Sequence, residues 1–165
     1  MFILANRARK PISRLDDFYA AVAAGDEDAL EIQQLVTDAG LCVARSSSSM
    51  GWRPGEVAFT SSIANAIRRF GPTTTTAALK HMSAAFSDQK LLHGAAILGA
   101  LAVILSKAEA DFDPDRLTRA LRTKKLDEWG LAAAGLKCGD YRVAALRKAI
   151  TEAYDKSEWE PEEAA

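Results

Sequence analysis

LLHGAAILGALAVILS, residues 91–106, is the stretch whose reading decides the fold. No charge falls between Lys90 and Lys107, and only His93, two glycines and Ser106 interrupt the apolar run. A helix that is hydrophobic all round is either the centre of a globular protein or a membrane span. As a helix the run would extend roughly 24 Å, short of the roughly 30 Å hydrocarbon core of a bilayer. Its alanines and glycines also keep it only mildly hydrophobic. The reading is a buried central helix over 91–106, with the rest of the chain as amphipathic cover. Ala95 and Gly99, four residues apart, give a neighbouring helix room to approach.

The chain has 165 residues, 48% hydrophobic and 26% charged, which suits one domain able to bury a real core. Its formal net charge of −1 lacks the global basic footprint of a strong nucleic-acid binder, so any such role would rest on local patches. Cys42 and Cys138 have no CxxC spacing and no neighbouring histidines, and read as two free thiols of a reducing cytoplasm. The opening residues, MFILANRARKP, lack a long apolar segment with a small-residue cleavage site, and a cytoplasmic location is expected. The expected class is all-α: a compact multi-helix bundle. Residues 1–12 form an N-terminal arm or helix remnant, 13–156 a single helical domain, and 157–165 an acidic tail.

Outward from the central run, each flank carries its own helix signals. Ser13 followed by Asp16 approximates a capping box, and Leu15, Phe18, Tyr19 and Val22 fall on one helical face before Gly25. A second helix begins at Asp26, with Glu27 and Asp28 against its N-terminal dipole and Ile32, Leu35, Val36 and Ala39 inward, until Gly40. The two should form an antiparallel hairpin. Residues 41–59 are the least helical, with Val57–Phe59 pairing back on 41–43 as a short β-flap or the whole stretch forming a plain loop. Ile63, Ile67 and Phe70 then mark a helix stopped by Gly71-Pro72, the run Thr73–Thr76 caps the next, and Ser87-Asp88 opens the central one. Asp113-Pro114-Asp115 is a strong restart, with an N-cap, a proline at the first helical position and an acid against the dipole. A short helix around Trp129 ends at Gly135, and a last helix carries Val143, Leu146, Ile150 and Tyr154.

Catalytic chemistry finds little purchase. His81 and His93 stand on different expected helices, and the chain has no HExxH, CxxC or Walker loop. Asp16-Asp17 and Glu27-Asp28 are explained by helix first turns. The expectation is a protein that is not an enzyme, with no metal and no cofactor. Three surfaces remain. Thr60–Lys80 has the outline of a helix-turn-helix, with Arg68 and Arg69 available to phosphates and Lys80 and His81 as the only polar base readers. The second is basic: Arg116, Arg119, Arg122, Lys124 and Lys125, with Arg142, Arg147 and Lys148 as further members. A solvated helix face, basic near its C-terminus, accounts for the same residues. The third is the 41–59 loop, where Met50, Trp52 and Arg53 could meet a protein partner or fold down as a lid.

The segment ILANRARKPISRLDDFYAAVAAGDEDALEIQQLVTDAGL resembles the region that follows the nuclease-like domain in ParB-like proteins of plasmids, phages and bacterial genomes. The likeness rests on Asn6, Arg9, Lys10, Pro11, Ile12 and Ser13, then Leu15, Asp16 and Phe18, then Ala24, Gly25 and Asp26. The later stretch DFDPDRLTRALRTKKLDEW, Asp111–Trp129, is similar to the Asp-Arg-Leu helix of the same region. The arginine-rich phosphate motif of the nuclease-like domain is not among these residues, so the resemblance implies no catalytic or nucleotide-binding residue. It implies a non-enzymatic helical module that binds DNA, dimerises or recruits a partner. The alternative is a regulator or inhibitor of a mobile element, acting on another protein through the Trp52 loop.

Overall fold

A computed structural model describes residues 13–157, and its folded part is an all-α bundle. The expected N-terminal arm and nearly all of the acidic tail lie outside the described residues. Seven α-helices follow one another among these: α1 (Arg14–Ala23), α2 (Glu27–Asp38), α3 (Thr60–Ala85), α4 (Gly94–Ser106), α5 (Pro114–Arg122), α6 (Leu126–Leu131) and α7 (Gly139–Lys156). Two strands, β1 (Cys42–Val43) and β2 (Glu56–Val57), interrupt the series.

The centre is α4. It packs against α3 on one side and α7 on the other, while α2 and α5 pack on α3 and α5 also reaches α7. Ile97, Leu98, Ala100, Leu101 and Ala102 are buried, so consecutive residues on different faces all lose water. Only a helix with neighbours around it can do this, which is what its all-round apolar sequence requires. Gly99 sets one of these distances: a Cβ there would lie 2.9 Å from Val143 of α7. Gly94 does the same for Phe59, at 2.7 Å.

The central helix is shorter than expected. It begins at Gly94, not at Ser87 or Leu91, because His93 sits in the left-handed region at φ 60°, ψ 16°. Residues 87–93 form a connector held by tertiary contacts: Leu91 is buried in the core, and Gln89 accepts a hydrogen bond from Leu126 N at 2.9 Å.

The flanking helices start as their sequences dictate. Ser13 accepts from Asp16 N at 3.1 Å, Asp26 from Ala29 N at 2.9 Å, and Asp113 from both Asp115 N and Arg116 N at 2.8 and 3.1 Å. Each side chain satisfies donors that the first helical turn leaves open. The α1–α2 hairpin closes at Gly25, with Asp26 N donating to Ala21 O at 3.0 Å.

Two local expectations are corrected. The strands pair in parallel, Cys42 with Glu56 and Val43 with Val57, not as a flap folded back on itself. Residues 44–55 cross over the pair, the length that parallel pairing needs, and Tyr19 Oη seals it by donating to Val43 O at 2.8 Å. The helix does stop at Gly71-Pro72, but the run Thr73–Thr76 does not cap the next one. The helix kinks at Gly71, at φ 83°, ψ 165°, a conformation open almost only to glycine, and resumes at once. Thr75 and Thr76 then lie inside the resumed helix, donating back to Gly71 O and Pro72 O at 2.8 and 2.9 Å.

Candidate functional site

Three of the basic residues in and after α5 are committed to the fold as well as to solvent. Arg116 lies across the C-terminal end of α7: Nε donates to Tyr154 O at 2.9 Å and Nη2 to Asp155 O at 3.2 Å, with the guanidinium 4.1 Å from the Tyr154 ring centroid. Tyr154 in turn stacks on Phe112 at 5.4 Å and accepts from Asp113 N at 3.0 Å. Arg122 does the equivalent for α3, its Nη2 donating to Ala84 O at 2.9 Å. Cations at helix C-termini answer both the orphan carbonyls and the negative end of the dipole. Lys124 lies 4.9 Å over the ring of Trp129, which is fully buried and donates to Leu121 O at 2.9 Å.

The remaining members point outward. Arg119 is 59% exposed at its side chain and pairs with Asp113 at 3.3 Å. Lys125 is exposed, and its backbone N–H donates to the Glu128 carboxylate at 2.6 Å. Asp113 is held below the usual carboxylate range, first by the backbone N–H of Arg116, then by that of Asp115 and by the Arg119 charge.

The structure does not bring Arg68 and Arg69 to this group. They stand before the Gly71 kink, Arg68 donating to Asn65 and Arg69 over the Phe70 ring at 5.3 Å. α5 meets α3 beyond the kink, where His81 Nδ1 bonds Thr118 Oγ1 at 2.8 Å. The helix-turn-helix outline fails on the same geometry: it lacks the three- to four-residue turn, and its second helix is wedged into the bundle through Ala78, Leu79 and Met82. Burial lowers the pKa of His81, with the Asp115 charge opposing it.

Arg142 and Arg147 separate as well. Arg147 shares a cleft of about 610 Å³ with Arg116 and Tyr154, whereas Arg142 lines another cavity beside α4. Sequence spacing cannot sort these residues, because the sorting is done by which neighbour packs on which face of α7.

The 41–59 loop is anchored at both sides of its tip. Trp52 is half-buried against the core, and its indole donates to Ser46 O at 2.7 Å. Lys90, which carries no local signal of such a role, reaches across with Nζ 3.3 Å from both Ser49 O and Met50 O. Met50, carried by a 3₁₀ turn at Ser49–Gly51, is 88% exposed. Arg53 is exposed, with its N–H donated to Glu56 at 2.7 Å. Trp52 therefore holds the loop, and Met50 is what it presents.

Both cysteines are free. Among the described residues no group of three His, Cys, Asp or Glu side chains could hold a metal ion, and no helix is long and apolar enough to cross a membrane. No family model matches the chain, and neither the curated proteins nor the solved structures gave a match.

Proposed function

We propose that this chain is a non-enzymatic, DNA-associated helical module of the ParB-like kind, acting in the cytoplasm and meeting duplex phosphates through the cations at the end of α5. One observation carries the reading. Arg119, Arg122, Lys124 and Lys125 are all exposed over seven consecutive residues that contain no carboxylate. Of these only Arg119 has an ion pair among the described residues, and that one is solvent-exposed. Arg122 spends two of its five donors on Ala84 and keeps the rest for a partner. Such a patch gives electrostatic, sequence-independent contact in a protein of net charge −1.

The test is fluorescence anisotropy with short duplexes at low and moderate salt. Arg119→Gln with Lys125→Gln removes two outward charges and leaves the Arg116 and Arg122 staples in place. The double variant is expected to weaken binding equally on unrelated sequences and to lower the salt slope by roughly one for each charge removed. Unchanged affinity, or weakening confined to one sequence, rejects the assignment.

A second reading is favoured by Met50. A large apolar side chain held out on an anchored loop is a contact point for a protein partner or a second copy, as a mobile-element regulator would need. Met50→Glu is expected to abolish partner capture with an unaltered melting temperature, and retained capture rejects it.

A further inference from the structure

α7 ends against the helix that carries the basic face. Tyr154 O and Asp155 O accept from Arg116, and Ser157 Oγ, on the last described residue, accepts from the same Nε at 3.3 Å. Arg116, Arg119 and Arg122 stand three apart, so they form one row of neighbours along α5. The chain is thus held at one end of a row of arginines, and α5 carries Arg122 only about 9 Å farther along its axis. Arg119 is exposed, and residues 119–125 contain no carboxylate. The sequence that follows Ser157 is EWEPEEAA, with carboxylates at Glu158, Glu160, Glu162 and Glu163 and no cation. Such a segment can reach up to roughly 26 Å, well beyond the length of the arginine row. Proline disfavours helix at the residue before it, and in an extended chain Glu158, Glu160 and Glu162 share one side.

We infer that residues 158–165 lie back along α5 and cover its cations, so that the acidic tail and a polyanion compete for one face. The competition with duplex phosphates rests on the reading of α5 proposed above, whereas the docking of the tail does not. Two observations select this occupant: its charge is opposite to that of the face, and it is attached at the face. Attachment makes the contact intramolecular, at an effective concentration on the order of millimolar. Exposed ion pairs are weak one by one and screened by salt, which suits a cover that a polyanion displaces.

The experiment uses the full chain and two variants of equal net charge. The tail variant combines Glu158→Gln, Glu160→Gln, Glu162→Gln and Glu163→Gln. The control combines Asp17→Asn, Glu27→Gln, Asp28→Asn and Glu31→Gln, all at exposed positions of the α1–α2 hairpin. Without DNA, NMR at low salt reads the Nε–H groups of Arg116, Arg119 and Arg122. The tail variant is expected to shift them and the control to leave them in place, with the difference vanishing at about 1 M salt. In fluorescence anisotropy with a short duplex at low salt, the tail variant is expected to bind roughly tenfold more tightly than the control. Arginine resonances unmoved in the tail variant overturn the docking. So do resonances in the parent that move with protein concentration, which would put the tail of a second copy on α5. Equal duplex affinity in the two variants overturns the competition. If none of the three proteins binds duplex, the DNA reading fails and the competition with it, and the arginine resonances alone then decide the docking.

Discussion

α4 and α5 are both short helices, and they are stabilised by opposite means. α4 has no acidic first turn and no side-chain cap, and its buried residues run round more than half of its circumference. α5 carries an aspartate cap, a proline in its first turn and basic residues in its last, with Leu117, Ala120 and Leu121 as its one buried stripe. α5 is written locally, by groups that satisfy its own ends. α4 is written globally, because nothing in its own sequence favours its ends and everything in it favours burial. The interior helix therefore depends on its neighbours, while the cover helix brings its own stability and can spare its outer face for function.

The harshest way to break that contrast is Leu101→Asp. Leu101 is fully buried, and an unpaired carboxylate there should abolish folding, read as disappearance of the helical circular dichroism signal. A folded variant would show that α4 is not the centre. Trp129→Ala tests the support beneath α5: removing the buried ring and its bond to Leu121 O should cost about 3–5 kcal/mol in urea unfolding. Gly99→Val asks how closely α4 and α7 are fitted. The added atoms meet Val143, and overpacking should cost about 1–3 kcal/mol without changing the helix content. A neutral result would mean that the two helices can part.

Gentler still is Asp113→Ala, which removes the α5 cap and the Arg119 partner. It should lower the melting temperature by less than either core change, with the weakening confined to amide exchange in the first turn of α5. The smallest effect belongs to His81 at the α3–α5 contact. Its pKa is lowered in the folded state, so the unfolded chain binds more protons in the acid range. Stability from this group is present above the ordinary histidine pKa and is lost as pH falls through that value toward the folded one. Comparing melting temperatures at about pH 7.5 and 5.0 with those of His81→Gln isolates this component. Equal declines in both proteins would assign the effect elsewhere.

Much of this is legible in the chain, and the residues show why. The caps Ser13, Asp26 and Asp113 act over three residues, so their chemistry is readable from the sequence alone. The apolar run ending at Ser106 signals its burial for the same reason. The basic cluster is only half legible. Composition identifies its members, but Arg116 and Arg122 reach carbonyls on α7 and α3 from 38 or more positions away. Trp52 is similarly visible as an anchor or a contact, and only its bond to Ser46 O separates the two.

The sequence by itself determined the helical class, the starts of the helices capped by Ser13, Asp26 and Asp113 and the identity of the central one, because these follow from local capping and from the period of apolar residues. Tertiary structure alone decided where α4 begins, that the 41–59 strands run parallel, and which cations face solvent. Those outcomes depend on contacts between residues far apart in the chain. α4 shows both sides: its burial was written in Leu91–Ser106, and its first residue was set by a left-handed His93 in a connector held from outside.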